Sequence, residues 1–326
     1  VKSYWPIAAV VAMLAIVPFV TASNVVLNFL ITTLLIALVG QGWNLLGGYG
    51  GQYSFGHAAF FGTAAYTTAI LQVQYGINAW FGFFVGIFAG SLVGAVIGFL
   101  CFRSGLRGSY FSLVTLAFAE VLRIVSSVTP ITGAGVGTLI KLDLRPEAFQ
   151  FQSRVPFYWI MLTLVALSLV TVRAAENSRF GAYLVAIREN DDAASALGIN
   201  TFAVKLAAIT LSAAITAAAG CFYAQYFLFI DAAIAYGPWI SIDALLAPIV
   251  GGAGTLFASL LGALVIKALG ETTKLLTGDA PGLDLVIYGL VLIAVVGLAP
   301  RGIAGLLSVL FGSPFRAVAQ PEADNG

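Results

Sequence analysis

RAAENSRFGAYLVAIRENDDAASALGINTFAVK, residues 173–205, is the stretch on which the reading of this chain turns. It holds eight charged side chains in about a tenth of the length: Arg173, Glu176, Arg179, Arg188, Glu189, Asp191, Asp192 and Lys205. Apolar sequence flanks it on both sides, so a segment this charged has to lie in water. The order of residues also predicts local structure. A carboxylate accepts from the free amides at a helix start and complements the positive end of the dipole, so Asp191 or Asp192 is placed to cap a short helix over 193–197. Gly198 then closes it in the left-handed conformation, and Asn200 is placed to cap the next helix. The expectation is a short, stiff, water-exposed helix between two membrane spans, suited to touching another protein at the membrane surface.

Outside that stretch the chain is mostly apolar. Of its 326 residues 60% are hydrophobic and only 9% charged, against about 25% charged in soluble domains, and the mean hydropathy is +1.00. This composition specifies an all-α polytopic membrane protein. A span needs roughly 20 apolar residues to cross about 30 Å. On that basis helices are expected near 6–22, 25–46, 57–74, 80–102, 109–128, 157–173, 201–230, 239–251, 255–275 and 284–299, about ten in all. If 239–251 and 255–275 form one broken span, the count is nine and the C-terminus changes side. The first apolar run is read as a membrane helix, since a signal-peptide cleavage site is weak there and many spans follow. Short cytoplasmic loops collect Lys and Arg. Placing 173–205 inside also places Lys2, Arg103, Arg107, Arg301 and Arg316 inside, leaving Lys141, Arg145, Arg154 and Lys274 outside. The chain therefore reads N-in and C-in. Residues 1–326 form a single transmembrane domain, with an outer loop at 129–156, a cytoplasmic loop at 173–200 and a cytoplasmic tail at 300–326.

The glycines carry a second pattern. Gly82, Gly86, Gly90, Gly94 and Gly98 recur every four residues, a stripe that lets helices approach closely in lipid. It marks an internal helix contact or, alternatively, a face shared with a second subunit. Two glycine-rich interruptions, GGYGGQYSFGH (47–57) and GGAGT (251–255), break otherwise apolar stretches. Interrupted helices expose backbone groups that can line a transport path. Glu120 and Arg123 stand three apart on one helix face and can pair. Glu120 lies well inside a span, where a charge costs on the order of 3 kcal/mol, so it should face protein or a wet cavity. Asp243 and the Lys267/Glu271 pair are read as snorkelling or structural charges.

Several chemistries are missing from the sequence. There is no GxxxxGK[ST] phosphate loop, so any nucleotide would be hydrolysed elsewhere. The lone His57 lacks zinc-site spacing, and with Ser54 it has no third acid to make a hydrolase. Cys101 and Cys221 sit in apolar runs as free thiols. A net charge of +1 offers no basic stripe for nucleic acid.

Taken together, the motifs resemble one family. GQYSFGHAAFFG (51–62) is similar to the GQxSxGHA segment of LivM-type permeases of branched-chain amino acid ABC importers. RGSYF (107–111) followed by TLAFAE (115–120), GGAGT (251–255) and PRG (300–302) resemble other parts of the same family. SRFG (178–181), AIRE (186–189) and ALGI (196–199) look like its coupling loop, where Asp192-Ala193-Ala194, three residues and Gly198 resemble the Glu-Ala-Ala-x-x-x-Gly pattern with Asp for Glu. The resemblance implies a permease subunit in the bacterial inner membrane, with a LivH-type sister permease, two ABC ATPase subunits that hold the ATP, and a periplasmic binding protein. It implies no cofactor and no covalent chemistry in this chain. For ATPase coupling it singles out Arg188, Glu189, Asp191, Asp192, Ala193, Ala194, Leu197 and Gly198. For the substrate path the candidates are Gln52, Ser54, His57 and Glu120. Urea and short amides are alternative substrates, and an ion-coupled secondary transporter is the alternative class.

Overall fold

Backbone polar groups in lipid must bond within their own segment, so the apolar runs form helices. The computed structural model describes residues 2–21, 23–277 and, beyond these, 286, 289, 290, 293, 297, 302, 303 and 305. The first half runs α1 (Trp5–Val20), α2 (Asn24–Trp43), α3 (His57–Tyr75), α4 (Ala79–Arg103) and α5 (Gly108–Val128). The second runs α6 (Val155–Glu176), α7 (Arg179–Glu189), α8 (Asp191–Ala196), α9 (Thr201–Phe227), α10 (Ala232–Ala235), α11 (Pro238–Gly251) and α12 (Ala258–Thr277). Six stretches among the described residues are long and apolar enough to cross a membrane: Asn24–Tyr49, Ala79–Arg103, Gly108–Val128, Val155–Glu176, Thr201–Phe227 and Ala232–Gly251. The chain is an all-α, multi-pass membrane protein. The expected span at 284–299 and the tail at 300–326 lie outside the described residues, apart from the few positions named above.

The expected glycine stripe is an internal seam. A Cβ on Gly86 would lie 2.5 Å from Cys221 Sγ, on Gly90 2.6 Å from Ala217 Cβ, on Gly94 2.3 Å from Ala213 Cβ and on Gly98 2.3 Å from Ile209 Cγ2. Each step forward on α4 is a step of four back on α9, so the two helices run antiparallel at backbone-limited distance. The opposite flank of the stripe meets α3, where Gly90 approaches Phe60 O and Gly86 approaches Ala64 O at 2.8 Å. Helices α3, α4 and α9 thus make the tightest part of the bundle.

The apolar run over 239–275 is two helices and not one broken span. Added Cβ atoms would fall 1.8 Å from Ala258 O at Gly251 and 1.7 Å from Ala247 O at Gly262. That register makes α11 and α12 an antiparallel hairpin, turned where Gly252 takes φ 110. Of the charges read as snorkelling or structural, Glu271 contacts Lys274 at 3.6 Å, and both of those side chains are more than half exposed.

The loop between α5 and α6 is held at one end of the bundle. Thr138–Leu139 pairs antiparallel with Phe229–Ile230 just after α9. Phe149 is buried among Trp80, Phe83 and Phe157, and Trp80 Nε1 donates to Pro146 O at 2.8 Å. The α7–α8 segment sits at the other end, because α6 and α9 each run the full depth between the two. The N-terminus shares that end: Lys2 N donates to Asn177 Oδ1 at 2.7 Å.

Candidate functional site

The stretch 173–205 folds as two short helices whose ends are defined by side chains. Ser178 Oγ accepts from Gly181 N at 3.4 Å to start α7, and Asn200 Oδ1 accepts from Ala203 N at 3.0 Å to start α9 as expected. The cap of α8 differs from the expectation. Asn190 Oδ1, not Asp191 or Asp192, accepts from Ala193 N at 2.9 Å. The far end closes as expected, with Gly198 at φ 84. Its amide donates to Ser195 O at 2.9 Å and that of Ile199 to Ala194 O at 3.1 Å, the paired bonds of a glycine-terminated helix.

With Asn190 capping, both aspartates are free to bind cations from neighbouring elements. Arg107, which leads into α5, places Nε 3.2 Å from Asp191 Oδ2 and Nη2 2.9 Å from Asp192 Oδ1. Lys205, on α9, reaches Asp191 Oδ2 at 2.9 Å. The hydrogen bond from Arg107 holds the Asp192 carboxyl below the usual carboxylate range, and the same bond raises Arg107. One helix is therefore tied by its base to the starts of α5 and α9. Its outer side is free: Ala193, Ser195 and Ala196 are exposed, and Leu197 is 83% exposed.

Not all of the loop charges lie in water. Arg173 and Lys205 are buried, because each sits in the membrane-proximal turn of a long helix and reaches an acid there. Arg173 pairs with Glu176, which also accepts from Tyr49 Oη at 2.7 Å and Lys2 Nζ at 3.2 Å.

Arg188 connects the loop to both glycine-rich breaks. Helix α2 widens into a π-turn over Asn44–Tyr49, a distortion that frees backbone groups from the regular ladder. Arg188 Nη1 donates to Gly48 O at 3.1 Å while Nη2 pairs with Glu189 Oε1 at 2.7 Å. Its stem lies on Gly51, where a Cβ would meet Arg188 Cγ at 2.6 Å. The second break packs on the first. Asn44 Nδ2 donates to Thr255 O and Gly254 N donates to Asn44 Oδ1, both at 2.8 Å, and Gln41 Nε2 donates to Leu256 O at 3.2 Å.

From this junction the segment before α3 packs against the first half of α5. Ser112 Oγ donates to Tyr53 O at 2.5 Å, and Phe55 N donates to Thr115 Oγ1 at 3.1 Å. Two turns further on, Arg123 grips Glu120 through Nη2–Oε1 at 2.5 Å and Nε–Oε2 at 2.8 Å. Among the described residues no helix encloses this pair, the Glu120 side chain being 47% exposed. Tyr110, Leu113, Val121 and Ile124 are exposed on the same helix, so α5 leaves a long face unpartnered among the described residues.

The other path candidates are placed apart from Glu120. Gln52 is half-buried, with Nε2 donating to Gly50 O at 3.2 Å. Ser54 and His57 are buried. Ser54 O accepts from Trp43 Nε1 at 2.9 Å and its Oγ accepts from Gly56 N at 3.1 Å. His57 Nε2 lies 3.0 Å from Ser212 Oγ, whose proton goes to Gly42 O at 2.6 Å. Sequence reasoning missed Asn44, Gln41 and Asn190. The first two had a signal: uncharged amides on an otherwise apolar helix, just before a glycine-rich break.

Residues 25–296 match the family described as the branched-chain amino acid transport system / permease component. The chain belongs to this family. It is 27% identical to the high-affinity branched-chain amino acid transport system permease protein LivM of Escherichia coli (strain K12) over 318 residues, 88% of this chain and 71% of that protein. The probable branched-chain amino acid transport permease protein LivM of Methanocaldococcus jannaschii is 26% identical, covering 67% of each chain. The galactofuranose transporter permease protein YtfT of Escherichia coli is 27% identical across 59% of this chain and 60% of its own length. No solved structure matches the chain at a significant level. The permease is thus a multi-pass inner-membrane transport subunit, not an enzyme.

Proposed function

We propose that this permease is one of two membrane subunits of an ATP-driven importer of branched-chain amino acids. A LivH-type sister permease pairs with it, two ABC ATPase subunits bind ATP on the cytoplasmic side, and a binding protein delivers substrate on the other. The observation that carries this reading is α8 itself: a capped helix with the apolar Leu197 held out in water and its base ion-paired to α5 and α9. An exposed leucine at the tip of a rigid helix suits a groove in a partner protein. In this reading Asp191 and Asp192 transmit force through Arg107, and Arg188 and Glu189 transmit it through the glycine junction. Ala193, Ala194 and Gly198 keep the helix thin and short.

Both routes end on α5, whose exposed face with Glu120 would meet the sister permease and line the path. Gln52 would border that path, with Ser54 and His57 holding the segment that leads to it. The membrane orientation is N-in and C-in, with about ten spans in one permease domain. The LivM relatives, the more fully covered matches, support amino acids as substrate.

Deletion of 193–197 tests the assignment. The expected result is normal insertion of the permease, loss of ATPase co-purification and loss of ATP-dependent leucine uptake. Retained uptake would remove α8 from the coupling role.

A further inference from the structure

The π-turn at the end of α2 is gripped at two successive residues by side chains from opposite ends of α7. Arg188, in the last turn of α7, donates to Gly48 O at 3.1 Å. Glu176, just before its first turn, accepts from Tyr49 Oη at 2.7 Å. The middle of α7 lies against the same stretch. A Cβ on Gly50 would be 3.3 Å from Leu184 Cδ2, and one on Gly51 would be 2.6 Å from Arg188 Cγ. Residues 48–51 are thus held against α7 from both ends and from its centre.

Both members of the second contact are buried, the Glu176 side chain being only 5% exposed. Arg173 pairs with one carboxylate oxygen through Nη1, and Lys2 Nζ reaches the other at 3.2 Å. The grip of Arg173 is single. Its Nε is buried with no hydrogen-bond partner among the described residues, so the two-pronged pairing that fixes a carboxylate in one plane is not made. The Tyr49 hydroxyl supplies direction instead, tying the carboxylate to the turn. A phenylalanine would fill the same space without a buried hydroxyl to satisfy.

One contact between a helix and a turn is a pivot, whereas two contacts on adjacent residues make a clamp. The π-turn breaks the regular helical ladder, so contacts from outside fix its orientation. We propose that Tyr49 and Glu176 are positioning residues for transport: they stop the π-turn rotating about Arg188, so that movement of α7 carries Gly48 and the glycine-rich break with it. They touch no substrate and act only through the Arg188 contact. This inference rests on the importer reading, in which α7 and α8 receive the motion of the ATPases.

The test is leucine accumulated per ATP hydrolysed, in vesicles holding the full set of subunits and supplied with the binding protein. Tyr49→Phe removes one hydroxyl and keeps the ring; it should lower that ratio about three- to ten-fold, the equivalent of one hydrogen bond. Glu176→Gln, which keeps an acceptor for the hydroxyl, should lower it less than Glu176→Ala. Because Tyr49 acts through Arg188, adding Tyr49→Phe to Arg188→Met should lower the ratio no further, whereas a residue that only supported the fold would give losses that multiply. An unchanged ratio in Tyr49→Phe, or multiplying losses in the double variant, would overturn the assignment and leave the importer reading standing. Wild-type uptake indifferent to ATP would overturn both. A further measurement needs no variant to fold: when ATP binds to the wild-type complex, amide exchange of 47–51 and 179–189 should change together, and a change in one segment without the other would show that they are not clamped.

Discussion

Arg188 joins three parts of the molecule through one side chain, so its loss should separate transport from assembly. Its guanidinium donates to Gly48 O and pairs with Glu189, while its stem covers Gly51. Arg188→Met keeps the stem and removes the donors, leaving a carbonyl short of a charged hydrogen bond typically worth about 1.5–3 kcal/mol. Leucine uptake should fall at least ten-fold while membrane insertion and ATPase co-purification stay normal; unchanged uptake would show that the Gly48 contact transmits nothing. At the neighbouring clamp, Asp192 is held below the usual carboxylate range by Arg107. Because the folded-state value is depressed, the pair contributes at every pH above the ordinary aspartate value of about 3.9. It is lost only as pH falls through the depressed value. Amide-exchange protection of 191–197, corrected for intrinsic rates, should therefore be flat from pH 8 to pH 5. A step within that window would contradict the assignment.

Helices α4 and α9 meet along glycines with no room for a methyl group, and that seam makes its own prediction. Gly94→Ala sets a Cβ 2.3 Å from Ala213 Cβ, an overpacking of the kind that costs about 1–3 kcal/mol. The purified permease should melt at a lower temperature. Adding Ala213→Gly should recover most of the loss, since the two positions share one contact; additive destabilisation would place the clash elsewhere. The stripe on α4 was legible in the sequence because glycine every four residues has a single physical use in lipid. Its partner was not, because the small residues of α9 lie far along the chain and no local rule pairs them. The same holds for the glycine-rich breaks. Both stood out by composition, but their meeting depends on Asn44 and Gln41, whose amides give no directional signal until the helices are packed. The cap of α8 shows another limit. Asn190, Asp191 and Asp192 are consecutive cap-forming residues, and only the arrival of Arg107 and Lys205 decides which one remains for the helix.

At the scale of the whole molecule, composition alone set the class, since a chain 9% charged has no route to a soluble fold. The span count was harder to read, because α1 with 16 residues and the α11–α12 hairpin blur the length rule. What the assembled structure adds is continuity. Ion pairs at Arg107 and the Arg188 junction both lead from the α7–α8 loop to α5. The central claim is that ATPase motion reaches the transport path through these two contacts. It is tested most directly by ATP-driven uptake of labelled leucine into vesicles holding the full set of subunits, with ATP inside or absent. Wild type should be compared with Arg107→Ala/Arg188→Ala. The account predicts ATP-dependent uptake in wild type, and in the double variant a complex that still binds and hydrolyses ATP but no longer accumulates leucine. Wild-type uptake indifferent to ATP, or a double variant that transports as wild type does, would contradict it.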